Sequence, residues 1–119
     1  MKNRNVQGFF KNLKDLHDIK CPSVFAECKN YTEDIGNPEF DQLSGRLDKP
    51  DRGQFGFLVC REIKDKGRVI KHCKEKLSGK KCLLVLSDND LISMVKLKMK
   101  EGETAVDDYL EKKLDEIID

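Results

Sequence analysis

Two short apolar runs, Gly56-Phe57-Leu58-Val59-Cys60 and Cys82-Leu83-Leu84-Val85-Leu86, constrain the fold of this chain more than any other feature. Their apolarity is continuous rather than alternating, which is the pattern of strands covered on both faces. Between them Val69, Ile70, Cys73 and Leu77 recur at helical spacing, so residues 66–78 are expected as a helix that ends near Gly79. Strand, helix and strand in this order form a crossover between parallel neighbours, which makes an α/β domain with partly parallel strands the expected class.

The remaining segments extend that alternation. Residues 24–31, Val-Phe-Ala-Glu-Cys-Lys-Asn-Tyr, read as a further strand. Alternation along it places Val24, Ala26 and Cys28 on one face, expected to be the apolar one, and Phe25, Glu27 and Lys29 on the other. A helix follows, with Asn37 as N-cap, Pro38 in its first turn and Phe40, Leu43 and Leu47 as its apolar stripe. Glu39, Gln42 and Arg46 line a second face of that helix. An N-terminal helix is expected over Val6–Leu16, with Val6, Phe9, Phe10, Leu13 and Leu16 on one side. Ser87-x-x-Asp90 has the form of a capping box opening a helix that carries Leu91, Ile92, Val95 and Met99. Residues 103–119 form a last amphipathic helix, opening at Thr104-x-x-Asp107, with Val106, Tyr109, Leu110, Leu114, Ile117 and Ile118 along one side. That side must be covered by the domain, a partner subunit or a further segment. Residues 48–54 read as a turn-rich loop, and the 119 residues have room for one domain.

The Glu27-x-Lys29 pair is the chemical feature of interest. Both side chains leave one face of one strand, where a carboxylate can hold a hard cation and a lysine can orient or deprotonate a water. In a chain with 38% charged residues such a triplet arises easily by chance, so its weight comes from the helix that offers Glu, Gln and Arg toward the same edge.

The string Glu27-Cys28-Lys29-Asn30-Tyr31, then Gly36-Asn37-Pro38-Glu39, Asp41-Gln42-Leu43-Ser44-Gly45-Arg46, Arg52-Gly53 and Gly56-Phe57-Leu58-Val59-Cys60-Arg61, resembles the restriction-endonuclease-like superfamily of PD-(D/E)XK nucleases over roughly residues 9–90. The resemblance implies a mixed sheet flanked by helices, a nuclease acting on nucleic acid, DNA above all, and a setting such as restriction-modification. It makes Glu27 a ligand of Mg²⁺ or Mn²⁺, Lys29 the catalytic lysine and Gln42 an auxiliary catalytic residue. Glu39 joins Gln42 as a candidate for orienting water or phosphate.

The chain departs from that pattern in one respect. The family places an Asp on the strand before the acid-x-Lys strand, and no strand bearing one is evident before residue 24. Three explanations stay open: the chain is the C-terminal part of a longer nuclease domain whose Asp lies upstream of Met1, the acid is Asp18, or the site is incomplete and no longer catalytic. A single carboxylate holds Mg²⁺ weakly, because the ion keeps most of its waters. A non-catalytic α/β domain for nucleic-acid binding or assembly is therefore carried alongside, as are a homodimer and a larger multi-domain parent.

Composition narrows the setting. No 18-residue apolar run and no signal peptide are evident, and of five cysteines Cys28, Cys60, Cys73 and Cys82 fall at apolar positions, so a reduced, cytoplasmic protein without membrane contact is expected. Zinc on Cys60, His72 and Cys73 is disfavoured by the lack of a C-x-x-C pair. Ser78-Gly79-Lys80-Lys81 lacks the upstream glycine of a phosphate loop, and His72 reads as a surface residue. Net charge is +1, yet residues 61–81 hold nine basic against three acidic residues and residues 101–119 eight acidic against two basic. Such a run suits a phosphate backbone, although a solvated helix balanced by an acidic neighbour is the commoner case. Arg61, at a strand end, is a candidate phosphate contact.

Overall fold

A computed structural model describes residues 8–30, 33–49 and 51–118. The elements run α1 (Phe9–Asp15), β1 (Phe25–Lys29), α2 (Asn37–Leu47), β2 (Phe55–Cys60), α3 (Lys66–Ser78), β3 (Cys82–Leu86), α4 (Asp88–Glu101) and α5 (Glu103–Ile118). The protein is a mixed α/β fold with five helices and three strands among the described residues. The strands lie in the order β1-β2-β3, and both pairings are parallel, so the sheet expected to be mixed is wholly parallel there. The reason is local: a helix intervenes between each pair of strands, and a helical crossover returns the chain in the same direction.

Register assigns the two faces. Glu27 pairs with Leu58 and Lys29 with Cys60, while Leu58 pairs with Val85, so these side chains share one face. Both connections step the same way across the sheet, and right-handed crossovers then lay α2 and α3 side by side on that face. Their contact is the Phe40 ring, 5.2 Å from the His72 ring, with Lys76 paired to Asp41 2.5 Å away. His72 is thus wedged between two helices, its side chain 13% exposed, and is not the surface residue expected. On the opposite face α1 sets Phe9 and Phe10 edge-on against Phe55 and Phe57, at centroid distances of 5.8 to 6.2 Å. Edge-to-face rings add about 0.5–1.5 kcal/mol per pair to their burial.

Gly56 sets how closely α2 approaches. A Cβ built there would lie 3.0 Å from Leu43 Cδ2, so the missing side chain lets the fully buried Leu43 rest on the sheet itself. Gly53 has a different role. At φ +87° its Cβ position would fall 2.6 Å from the Lys20 carbonyl oxygen, and the next residue, Gln54, donates its N–H to that oxygen at 2.7 Å. Residues 18–22 are thereby fastened to the N-terminal end of β2.

Several boundaries differ from the sequence reading. Helix α1 starts at Phe9 behind Gly8; Val6 lies outside the described residues, and Leu16 is 70% exposed past the helix end. Gly36, not Asn37, is the N-cap of α2, and Glu39 accepts the Gly36 N–H at 3.1 Å. Ala26 and Cys28 are exposed: α1 covers β2 but does not reach over β1, so the expected apolar face of β1 is its solvent face.

Helix α5 docks through Leu110, Leu114 and Ile117 and through a polar clasp on α4. Asp90 accepts the Ser87 N–H at 2.8 Å and the Tyr109 hydroxyl at 2.5 Å, with the Lys113 ammonium at 3.2 Å. Burial pushes the Asp90 carboxyl up, but Ser87, Tyr109 and Lys113 together more than offset it, and the net shift is downward. Burial first, and then the Asp90 carboxylate, push the Tyr109 hydroxyl up to about 12.

Two outcomes are expected. Gly56→Val should lift α2 and cost about 1–3 kcal/mol in urea unfolding, as overpacking does; an unchanged midpoint would show that Leu43 has room to move. Because the Asp90 carboxyl titrates below its ordinary 3.8 in the folded state, its stabilisation is present above that value and lost as pH falls through the lower, folded one. Asp90→Asn should therefore flatten the acid limb of a pH–stability profile; an unaltered limb would place the clasp's contribution elsewhere.

Candidate active site beneath helix α2

The seating of α2 on Gly56 brings one polar edge of that helix over the side chains of β1. Gln42 and Arg46, one turn apart, reach down from it. Lys29 donates from Nζ to Gln42 Oε1 at 3.1 Å and lies 3.7 Å from Glu27 Oε2. Arg46 Nη1 donates to the other carboxylate oxygen, Glu27 Oε1. The three residues expected to act together, Glu27, Lys29 and Gln42, are thus gathered in one cluster.

Arg46 was expected on the helix edge that faces the Glu27–Lys29 pair, without a role of its own. Its place follows from the i, i+4 spacing to Gln42, which projects both side chains toward β1. Glu39 is not part of the cluster, because its carboxylate is spent on the Gly36 N–H at the start of α2.

The cluster is largely enclosed: the Glu27 side chain is 10% exposed and that of Lys29 17%, whereas Arg46 is 58% exposed at the rim. Glu27 Oε2 is buried without a hydrogen-bond partner, and a buried acceptor left unsatisfied costs about 1–3 kcal/mol. That oxygen offers one ligand position to a hard cation. It does not make a complete site, since among the described residues no three His, Cys, Asp or Glu side chains are grouped as for a metal. Asp18 does not fill the gap. It sits at φ 54° and lines a hollow with His17, Lys20, Gln54 and Lys80 at the end where β2 begins, whereas Glu27 pairs with Leu58 further along.

Burial first, with the charges of Asp34, Asp90 and Asp88 behind it, raises the Cys60 thiol, and burial takes Cys73 and Cys82 to about 12. Thiols held protonated in this way serve as core, not as nucleophiles. Arg61 donates to Asn30 Oδ1 at 3.5 Å beyond the strand ends. Three lysines of the basic stretch 61–81 are paired by the fold: Lys66 meets Glu116, Lys76 meets Asp41 and Lys81 meets Asp48. At the same end of the sheet Asp34 accepts the N–H groups of Lys64 and Asp65, each at 2.7 Å, which lowers its carboxyl. No helix among the described residues is long and apolar enough to cross a membrane.

Fold and site together define an α/β domain with a parallel sheet and an enclosed acid–lysine–amide cluster at its β1 edge. No family model, curated protein or solved structure matches the chain.

The ion pair at the rim is open to test by itself. Arg46→Ala should leave Glu27 facing Lys29 alone in a nearly closed pocket and cost about 1–3 kcal/mol in chemical denaturation. A cost below about 0.5 kcal/mol, ordinary for an exposed pair, would show that Glu27 Oε1 is well hydrated without the arginine.

Proposed function

We propose that this chain carries one half of a metal-dependent, phosphodiester-hydrolysing site, in a nuclease or nuclease-related domain of the restriction-endonuclease-like kind. What supports this is the meeting of Glu27, Lys29 and Gln42 under one helix, the same residues on which the sequence resemblance rests. Glu27 Oε2, buried and without a hydrogen bond, would hold Mg²⁺ or Mn²⁺. When bound, such an ion supplies Lewis acidity and a more acidic water. Lys29 is stationed beside the same oxygen, where its ammonium can orient a water or a phosphate oxygen. Gln42 fixes the reach of that lysine by accepting a hydrogen bond from its ammonium. Arg46 stands at the exposed rim as a planar donor suited to phosphate oxygens.

Two cations around one carboxylate make a cluster that attracts anions, which fits a nucleic-acid backbone, DNA being the substrate the resemblance implies. Mg²⁺ retained by a single carboxylate keeps most of its waters. Hydrolysis is accordingly assigned to an assembly in which a further carboxylate joins Glu27.

A second reading, a non-catalytic domain for assembly, draws on α4. Ile92, Val95 and Met99 are 52%, 58% and 82% exposed along one stripe of that helix.

Mn²⁺ titration followed by NMR separates the two. Paramagnetic broadening centred on Glu27, Lys29 and Gln42 is expected for the nuclease reading. Broadening that is absent, or scattered over surface carboxylates, would favour the assembly domain. In a form of the protein with measurable cleavage, Lys29→Ala should lower the rate by at least about a hundredfold while the thermal melt is retained; cleavage at the parental rate would remove Lys29 from the mechanism.

A further inference from the structure

Strand β1 is an edge. Its neighbour is β2, and along its other side the backbone N–H and C=O groups have no neighbouring strand among the described residues. Such an edge is a template for another strand, and proteins that keep one open guard it with charge, proline or a bulge. Here the charges that could guard it, Glu27 and Lys29, are turned under α2 at 10% and 17% exposure. On the opposite face of the strand Ala26 and Cys28 lie open to solvent.

The side chains of β1 specify what the edge accepts. Around Cys28 the sequence Glu27-Cys28-Lys29 has opposite charges at equal distances. An antiparallel copy of the same strand centred on Cys28 therefore sets Glu27 opposite Lys29 of the second copy, and Lys29 opposite its Glu27. Directly opposed residues in an antiparallel pair lie on the same face with Cα atoms about 4.5–5.5 Å apart, and opposite charges there are stabilising. Ala26 falls opposite Asn30, two residues from the axis, so a small and a medium side chain meet there. Pairing about a two-fold axis closes on itself and leaves no further edge on that side.

We propose that two copies of this chain associate through β1, antiparallel and centred on Cys28, joining two three-stranded sheets into one. The exposed stripe of α4 carries no comparable indication of what covers it. The pairing does not depend on hydrolysis. It does bear on the proposed site, because it brings a second Glu27 to the same face, diagonally about 7–8 Å away across the new strand pair.

The test uses the whole 119-residue chain. Sedimentation velocity over a range of concentrations should show a monomer–dimer equilibrium. A short bismaleimide should link the two copies through Cys28 of each, identified by peptide mass analysis. Cys28→Lys, at an exposed position where the monomer fold tolerates it, sets two like charges face to face on the axis and should raise the dimer Kd at least about tenfold. A chain that stays monomeric at every concentration overturns the proposal. So does a dimer that is not linked at Cys28, and so does a dimer indifferent to Cys28→Lys, either of which would move the interface to another surface such as α4.

Discussion

The contact on which the arrangement depends is Leu43 resting on Gly56. Helix α2 connects β1 to β2, and a right-handed crossover lays it over the face that holds Glu27 and Lys29. How near it comes is decided at one point, where a strand residue without a side chain receives a leucine that is 1% exposed. Burying a leucine contributes about 1.5–3 kcal/mol, and here that contribution also sets the height of the helix above the sheet. Gln42 and Arg46 flank Leu43 on the same helix, so the distance from Lys29 to its amide partner is a by-product of core packing. A site built in this way is positioned by rigid elements and not by loops.

At the far end of the sheet a second device holds the last two helices. Asp90 caps α4 through Ser87 and at the same time receives Tyr109 and Lys113 from α5. One carboxylate, 8% exposed, thereby satisfies donors on two helices, which is the condition under which a buried charge is tolerated. The acidic character of α5, with Glu116 facing Lys66, also neutralises part of the basic crossover helix. Lys76 and Lys81 of the basic stretch 61–81 pair with Asp41 and Asp48, so three of its nine basic residues meet acids of neighbouring elements.

The β1 edge is enclosed on one side only. Its inner face is sealed by α2, whereas its outer face and its backbone edge are open. One acid and two cations thus lie enclosed next to a strand that has no second neighbour among the described residues.

Much of the architecture was legible in residue order. The runs at 56–60 and 82–86, with helical spacing between them, fix two parallel strands and their crossover, because continuous apolarity is stable only where both faces are covered. The Ser87-x-x-Asp90 cap and the apolar side of α5 were likewise written locally. Period placed Glu27 and Lys29 on one strand face and Gln42 on one helix face with Glu39 and Arg46, and the family resemblance singled out Glu27, Lys29 and Gln42 among them. Which face of β1 is buried could not be read in this way. Ala26 and Cys28 belong to the more apolar set, yet they are exposed while Phe25, Glu27 and Lys29 are half-buried, because the crossover helix covers that side and α1 stops short at β2. Nor could sequence foresee that Glu39 is taken by a helix cap, that His72 is wedged against Phe40, or that Asp18 lies at the wrong end of the sheet. Periodicity sorts the side chains of one element into faces, but coverage of a face depends on where other elements end, and that is settled by long-range packing in three dimensions.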